Sequence, residues 1–376
     1  MSPSKLPAVG TTIFTTMSAL AQKHGAINLA QGFPNFPIDA QLQDQLLRVS
    51  KENSHQYAPL QGILSLREKV ANLINRQYKR AVQSEEILIT AGATQAIFTT
   101  IQALVFPGEE VIILDPSYDC YEAPVHLAGA KAIRLPLTAT FDPDWDLIEA
   151  TITERTKLLI VNNPHNPSGK IWQDSDFLAL ERLMQRYPNL LLLSDEVYEF
   201  ISFEKKHQSI HERSAIRDRS IVVSSFGKTF HITGWKVGYL VCPKALMTEI
   251  LKVHQFLVFC VNSVAQHALD AYLDLVDVNT LSAFYQQKRD IFREGFNNSR
   301  FNLLPAEGSY FQVADFSAIS NQSDVAFCQE LTVKHGVAAI PISVFNANAH
   351  DARLIRFCYA KTDETLQEAI EKLCKI

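Results

Sequence analysis

The feature that most constrains the fold is a series of short apolar runs between residues 86 and 242. Seven runs are predicted to be strands, at 86–90, 110–115, 132–137, 157–163, 190–197, 220–225 and 237–242. Most have a centre of three or more consecutive apolar residues, which is typical of strands buried on both faces of a sheet. Segments with helical spacing separate them; in one, Phe177, Leu180 and Met184 follow Asp174. The pattern predicts an α/β fold with a doubly wound, mostly parallel seven-stranded sheet flanked by helices.

The pattern changes after about residue 280, where a helical segment is followed by the strand-like stretches "YFQVADF" and "LIRFCYA" and a capped closing helix, "TDETLQEAIEKLC". These elements predict a smaller α+β domain over 281–376. We expect a large domain over 41–280 and an N-terminal segment, 1–40, that joins the small domain. No linker rich in glycine or proline marks the boundary between them.

Composition excludes several classes of partner. The 376 residues include 35 basic and 40 acidic side chains, a formal net charge of -5, which argues against a nucleic-acid partner. No run approaches the ~18 apolar residues of a membrane span, and the N-terminus lacks the apolar core of a secretory signal. Six cysteines without a C-x-x-C spacing are expected to remain reduced thiols. We therefore expect a cytoplasmic protein with no membrane partner, and we predict no metal site.

Polar residues gather where the predicted strands end, and ligands of such sheets bind at the carboxyl ends of strands. They are the amides of Ala93 and Thr94 at a helix start, Tyr118, Asn162, Asn166, Asp195, Tyr198, Ser225 and Lys228. Each alone has an ordinary structural explanation. "NPHNPSG" could be a surface turn, Asp195 could belong to a buried ion pair, and Tyr118 could simply pack.

Two nucleotide-binding motifs are excluded. "GKT" around Lys228 is not a phosphate-binding P-loop, since that motif needs glycine at position 222, where the chain has Val222. No G-x-G-x-x-G follows a predicted strand, which excludes a nicotinamide site of the usual kind.

A nucleophilic lysine, an acid, an aromatic face and a phosphate cradle are together what pyridoxal 5′-phosphate (PLP) requires. The segments "SSFGKTFHITGWKVGY", "NPHNPSGK", "SDEVYE" and "LIRFCYAK" occur in the order of a class I aminotransferase of PLP fold type I, which the chain resembles over nearly its whole length. The resemblance is greatest to the branch with methionine aminotransferase and the kynurenine–oxoglutarate transaminases.

The resemblance implies roles around the cofactor. Lys228 would form the PLP Schiff base and then act as general base and acid, with Asp195 beneath the pyridine nitrogen. A carboxylate ~4 Å from that nitrogen contributes ~4 kcal/mol at an effective dielectric of 20, enough to hold the ring protonated. Asn166 and Tyr198 would hydrogen-bond the phenolic oxygen, and Tyr118 would stack on the ring.

The phosphate cradle implied by the resemblance comprises Ala93, Thr94, Ser225 and Lys236. Many relatives have arginine where this chain has Lys236, and lysine keeps the charge without the two-pronged geometry. Tyr57 resembles a tyrosine that reaches the phosphate from the neighbouring subunit. The implied assembly is a homodimer with shared active sites.

For the substrate, the resemblance implies that Arg356 binds the α-carboxylate in a two-pronged hydrogen bond, helped by Gly32 and Asn162. Phe14 and the partner subunit's Phe259 would line the side-chain pocket. Cys260 stands where some kynurenine transaminases have histidine, which disfavours a kynurenine preference, and no arginine suits a second carboxylate. We expect an aminotransferase that moves the amino group of a neutral amino acid, methionine or aromatic, to a 2-oxo acid.

Two alternatives remain open. The same lysine and fold would also support a β-lyase acting on cysteine conjugates. A PLP-binding regulator without catalytic activity is the other, but it would need a separate basic DNA-binding domain, and about 30 residues precede "QGFPNFP".

Overall fold

The computed structural model describes residues 3–7 and 9–376. Its α-helices are α1 (Ile13–His24), α2 (Ala40–Val49), α3 (Leu64–Tyr78), α4 (Gly92–Leu104), α5 (Glu122–Leu127), α6 (Trp145–Thr151), α7 (Asp174–Arg186), α8 (Phe226–Thr229), α9 (Lys244–Leu257), α10 (Ser263–Tyr272), α11 (Thr280–Gly295), α12 (Asp324–Lys334) and α13 (Asp363–Leu373). Its strands are β1 (Ile27–Asn28), β2 (Ile87–Thr90), β3 (Glu110–Asp115), β4 (Lys131–Pro136), β5 (Thr156–Asn162), β6 (Leu191–Asp195), β7 (Ser220–Ser224), β8 (Gly238–Val241), β9 (Asn302–Leu303), β10 (Phe311–Asp315), β11 (Val337–Ala338), β12 (Ile340–Pro341) and β13 (Leu354–Cys358).

The central sheet has seven strands in the order β2-β8-β7-β6-β5-β3-β4. Strand β8 runs antiparallel to both neighbours, and the other pairs are parallel. All seven predicted runs form strands of this sheet, so the predicted mostly parallel α/β fold is confirmed. The fifth strand is shorter than predicted: it ends at Asp195, and the chain turns away before Val197.

Strand β5 shows why the centres of these runs have consecutive apolar residues. Alternate side chains of a strand point to opposite faces of its sheet. Leu158 and Ile160 lie in one hydrophobic core, whereas Leu159 and Val161 lie in a second core on the other face. A sheet covered by helices on both faces leaves no solvent-facing side for polar residues.

A smaller antiparallel sheet, in the order β12-β13-β10-β9, forms the C-terminal part of the fold. The predicted closing helix is α13, and the Thr362 hydroxyl caps it by accepting a hydrogen bond from the Thr365 amide. Helix α1 contributes Met17 and Ala21 to the core of this part, and β1 pairs with β11. These contacts suit the predicted joining of residues 1–40 to 281–376, and the domain boundaries themselves stay a prediction.

The two parts of the fold meet at one edge of the central sheet. There the carboxyl ends of β5, β6 and β7 face β13 and the segment that follows β1. Within residues 3–7 and 9–376, no helix is both long and apolar enough to cross a membrane.

Candidate active site

A cavity of about 280 Å³ lies at this edge of the sheet. Thirteen of the fifteen predicted site residues line it: Phe14, Gly32, Ala93, Thr94, Tyr118, Asn162, Asn166, Asp195, Tyr198, Ser225, Lys228, Lys236 and Arg356. They come from positions that span most of the chain. The fold therefore brings together residues that the sequence relates only through their positions at strand ends.

One end of the cavity is built to hold an anion. Helix α4 begins at Gly92, directly after β2, so its first backbone amides and its positive dipole end face the cavity. Gly92 has φ 76°, and a Cβ there would lie 3.4 Å from the Lys236 ammonium nitrogen. The ammonium group thus sits beside the helix start. Ser225, at the start of α8, lines the same end.

Lys228 lies in α8, the short helix that follows β7, with its amine facing the cavity. Its Nζ donates to the Gly32 carbonyl at 3.2 Å, and the Tyr310 hydroxyl donates to the same oxygen at 2.7 Å. Burial lowers the pKa of Lys228 from 10.5 to about 8. A lysine with that pKa is about one-tenth neutral at pH 7, whereas an unperturbed lysine is almost wholly protonated.

Asp195 ends β6 and is almost completely buried. Its carboxylate accepts a hydrogen bond from the Tyr121 hydroxyl at 2.6 Å and one from the Val197 amide at 3.3 Å. Burial raises the pKa of Asp195 to about 6, and the Tyr121 hydrogen bond and the Lys228 charge oppose that rise. A cationic group placed at this carboxylate would further stabilise the ionised form.

Arg356, in β13, is buried and has 1% of its surface exposed. One terminal nitrogen donates to Oδ1 of Asn166 at 2.7 Å, and the other donates to the Ala30 carbonyl at 2.8 Å. The guanidinium lies 3.9 Å from the centre of the Phe311 ring. Its Nε is buried and has no hydrogen-bond partner among the described residues. The two hydrogen bonds of the terminal nitrogens fix the plane of the guanidinium, and each of those nitrogens has a second N–H.

Asn162 and Asn166 lie in a turn that connects Asp195 to Arg356 through hydrogen bonds. Asn162 donates from Nδ2 to the Asp195 carbonyl at 2.9 Å and accepts from the Asn166 amide at 2.7 Å. The Asn166 side chain uses its oxygen for Arg356, so its NH₂ group is the one with donors to offer a ligand. Asn162 also lines the cavity, but its first role in the structure is to hold the backbone of this turn.

Aromatic rings form the cavity wall near Arg356. Phe14 packs on Tyr118 with ring centres 6.4 Å apart, and Tyr118 packs on Tyr121 at 6.0 Å. Tyr198 packs on Phe311 at 5.8 Å from the other side. This wall presents apolar ring surface to whatever occupies the space between Arg356 and Lys228.

Tyr57 and Phe259 are the two predicted residues that do not line the cavity. Tyr57 is 83% exposed and Phe259 49% exposed, and the two rings contact each other edge to face at 5.3 Å. Both were predicted to act on the site of a neighbouring subunit. That assignment stays a prediction.

The remaining lining residues were missed by the sequence reasoning: Gln31, Gly92, Ile97, Tyr121, Val197, Gly227, Thr233, Val237 and Phe311. Tyr121 is the most important because it binds Asp195 directly. The sequence could have indicated Tyr121, because it lies three residues after Tyr118, in the same segment that follows a predicted strand. Phe311 gave no such signal, because a phenylalanine in an apolar strand usually packs in a core.

The residues present fit PLP. The start of α4 with Lys236 offers an anion cradle, Asp195 offers a buried carboxylate, Lys228 offers an amine of lowered pKa, and Tyr118 offers a ring face. Within the described residues, no cluster of three or more His, Cys, Asp or Glu side chains could hold a metal ion. A buried lysine and a wall of aromatic rings lie at the carboxyl ends of the strands of an α/β sheet. This arrangement defines the class of PLP-dependent enzymes of fold type I.

The chain belongs to the family of class I and II aminotransferases. The family profile "Aminotransferase class I and II" matches residues 24–373. The protein is therefore a PLP-dependent aminotransferase, and the predicted class, fold type and cofactor are confirmed.

Three relatives illustrate the similarity. A methionine aminotransferase from Escherichia coli (strain K12) is 48% identical over 381 residues, covering 98% of this chain and 97% of that protein. The crystal structure of YbdL from Escherichia coli, described as identifying a methionine aminotransferase function, has a TM-score of 0.98 and 47% identity, with 100% of both chains covered. Kynurenine–oxoglutarate transaminase 3 of Rattus norvegicus is 31% identical over 404 residues, covering 98% of this chain and 88% of that protein. The predicted resemblance to this branch is confirmed.

Proposed function

We propose that the protein transfers the amino group of a neutral amino acid, methionine or an aromatic one by preference, to a 2-oxo acid. The observation that carries the substrate class is the charge inventory of the cavity. Its cationic lining residues, within the part of the chain described, are Lys228, Lys236 and Arg356. Two are assigned to the cofactor, which leaves one arginine for the α-carboxylate and none for a second acidic group.

The aromatic wall supports a large apolar side chain. Phe14, Tyr118 and Phe311 present ring surface beside Arg356, and an acidic side chain would be desolvated there without a partner. The 48% identity to the methionine aminotransferase of Escherichia coli supports methionine as one donor.

Bound PLP supplies an electron sink for the bond that breaks at the substrate Cα. Lys228 would carry the covalent link to the cofactor. Its amine would also take the substrate's Cα proton and return it, and a pKa of about 8 suits an amine that must accept and release a proton near neutral pH. The Gly32 carbonyl, which also accepts a hydrogen bond from the Tyr310 hydroxyl, accepts one from that amine.

The other cofactor contacts follow from positions in the cavity. Asp195, held by Tyr121, would bind the pyridine nitrogen, while Asn166 and Tyr198 would donate to the phenolic oxygen. Tyr118 would cover the ring. The amides of Ala93 and Thr94, with Ser225 and Lys236, would hold the phosphate, and a helix start beside an ammonium group supports that role.

Arg356, which lines the cavity, would bind the α-carboxylate through two of its N–H groups. Gly32 and Asn162 lie close enough to the same space to assist. Because Asn166 contacts Arg356, a shift at the carboxylate site would reach the cofactor site directly.

We further propose that the active protein is a homodimer with two shared sites. Tyr57 would reach the phosphate of the partner's site, and Phe259 would join the partner's side-chain pocket. The exposure of this aromatic pair supports the proposal, since contiguous exposed rings commonly mark an interface. We propose the cytoplasm as its location, which six cysteines without a disulfide support.

The test is a panel of amino acids with purified protein, each paired with several 2-oxo acids. The proposal predicts highest kcat/KM for methionine or an aromatic donor, low values for aspartate, and keto acid formed without ammonia. Stoichiometric ammonia and pyruvate release with no acceptor added would indicate a β-lyase instead. A protein that binds PLP and turns over no amino acid would support the regulator alternative.

A further inference from the structure

Arg134, in β4, ties the segment after β12 to the central sheet. Its guanidinium donates to the Phe345 carbonyl at 2.9 Å, to Asp115 at 2.7 Å and to Ser117 at 3.0 Å. Glu122 accepts a fourth bond at 2.5 Å. The side chain is 13% exposed, so these contacts are partly shielded from solvent and form a built anchor.

The anchor holds its segment at two points. The Ser117 amide donates to the Phe345 carbonyl at 3.0 Å, so that oxygen accepts two bonds from the sheet side. The carboxylate of Asp115, already bonded to Arg134, accepts from the Ala347 amide at 2.8 Å. The backbone on both sides of Asn346 is therefore held to the sheet by Arg134, its partner Asp115 and the Ser117 amide, all outside the cavity lining.

The side chain of Phe345 links the anchored segment to the residues of the cavity wall. It is 3% exposed, and its ring packs on Phe14 with centres 5.8 Å apart. The Arg356 guanidinium lies 5.9 Å from the same ring. Phe345 thus backs both the wall residue and the carboxylate-binding residue without lining the cavity itself.

We infer that Arg134 is a positioning residue for the substrate's side-chain pocket and acts through Phe345 on Phe14. The inference rests on the proposed function, which places the substrate side chain against Phe14. Loss of Arg134 removes one of the two hydrogen bonds on the Phe345 carbonyl and the partner that orients Asp115. The Phe345 ring can then shift away from Phe14, which weakens the contact of the wall with a large substrate side chain. A small side chain, which does not fill the pocket, is affected little.

The measurement is the ratio of kcat/KM for methionine to kcat/KM for alanine with one 2-oxo acid. A ratio taken on one preparation does not depend on the fraction of active protein, so partial misfolding does not change it. Arg134→Gln is expected to lower the ratio about tenfold, mainly through KM for methionine, because loss of apolar contact in a pocket changes discrimination by about 10-fold or more. Arg134→Lys keeps the charge but cannot make all four contacts, and it should give an intermediate ratio in a chain that folds.

Two further variants separate positioning from a general loss of stability. Arg186→Gln removes a surface pair with Glu149 and should leave the ratio unchanged. Phe345→Leu should lower the ratio by itself, and adding Arg134→Gln to it should lower it little further. That non-additivity is the signature of one residue acting through the other.

An unchanged ratio in both Arg134 variants, or effects that multiply fully in the double variant, would overturn the inference. The proposed function is tested separately by the wild-type protein, and it would be wrong if that protein preferred small or acidic donors. In that case the change in ratio between wild type and variant still tests whether Arg134 sets the wall.

Discussion

The side chains of Arg356 and Asn166 meet through a hydrogen bond of 2.7 Å between a guanidinium nitrogen and the amide oxygen. The arginine belongs to β13 of the smaller sheet, and the asparagine follows β5 of the central sheet. The contact therefore crosses between the two parts of the fold at the cavity. It links the residue assigned to the substrate carboxylate with one assigned to the cofactor.

Replacement of Arg356 should weaken binding of every donor that has an α-carboxylate. Hydrogen bonds to a charged group contribute about 1.5–3 kcal/mol, so Arg356→Gln should raise KM for methionine by about 10-fold to 150-fold. Arg356→Lys should restore little, because a single ammonium cannot reproduce the two-pronged contact. Steady-state kinetics on methionine measures this change.

The amine that corresponds to methionine without its carboxylate is the matched control for Arg356. Any residual turnover of that amine should be nearly the same in wild type and Arg356→Gln. An equal loss for both compounds would mean that Arg356 supports the fold of the site and does not bind the carboxylate.

Asp195 should give the cofactor-free protein a distinct pH dependence of stability. Its pKa is about 6 when folded and 3.8 without the protein environment, so the folded state binds a proton more tightly. The resulting stabilisation is complete below about pH 4 and is lost as pH rises through about 6. The lost stabilisation should be of the order of 3 kcal/mol, from about two pKa units.

Urea unfolding of wild type and Asp195→Asn, each without PLP, measures this effect. The free energy of unfolding of the wild type, relative to the variant, should fall between about pH 4 and about pH 7. A difference that stays constant over this range would show that Asp195 does not titrate there.

The sheet was predictable because strands that are buried on both faces need consecutive apolar residues, and such runs are visible in the sequence. Residues 158–161 are apolar in succession, and alternate side chains of β5 point into two cores. The early end of β6 was not predictable in the same way. Val197 is as apolar as the strand before it, and the turn there depends on a hydrogen bond to the Asp195 carboxylate.

The site was predictable where one residue carries chemistry that a packed core does not need. Lys228 and Asp195 stand out in apolar surroundings for that reason. The roles of Tyr121 and Arg134 were not predictable, because each acts through a partner that is distant in sequence: Asp195 for the tyrosine, and the Phe345 carbonyl for the arginine. Only the folded structure places these pairs together.

Lys236 should contribute to anion binding at the start of α4. Lys236→Gln should weaken PLP binding about tenfold or more, since it removes a charged hydrogen-bond donor, whereas Lys236→Arg should keep most of the affinity. Gly92→Ala should also weaken binding, because alanine at φ 76° is strained and its Cβ would lie 3.4 Å from the Lys236 nitrogen.

Equilibrium titration of cofactor-free protein with PLP, and with inorganic phosphate as a second probe, tests the cradle. Lys252→Gln, which removes an exposed lysine paired with Glu249, is the matched control. If the control and Lys236→Gln bind both ligands equally, the cradle assignment is wrong.

Shared sites predict that two impaired variants rescue each other. Lys228→Ala and Tyr57→Ala should each be impaired at limiting PLP. In a mixed dimer, the site that keeps Lys228 also receives Tyr57 from the other subunit. Random reassembly of equal amounts should therefore restore about a quarter of wild-type activity, from half of the dimers with one intact site each.

The reassembled mixture distinguishes the two possible arrangements. If Tyr57 served its own subunit, each mixed site would still lack one of the two residues, and activity would not exceed that of the separate variants. Size-exclusion chromatography of the same sample should show a dimer.

The covalent link at Lys228 is tested most directly by reduction of the protein with borohydride in the presence of PLP, followed by digestion and mass spectrometry. We predict a pyridoxyl group on the peptide that contains Lys228, and its absence in Lys228→Arg. A pyridoxyl group on another lysine, or none in protein saturated with PLP, would contradict the assignment of Lys228 as the residue that carries the cofactor.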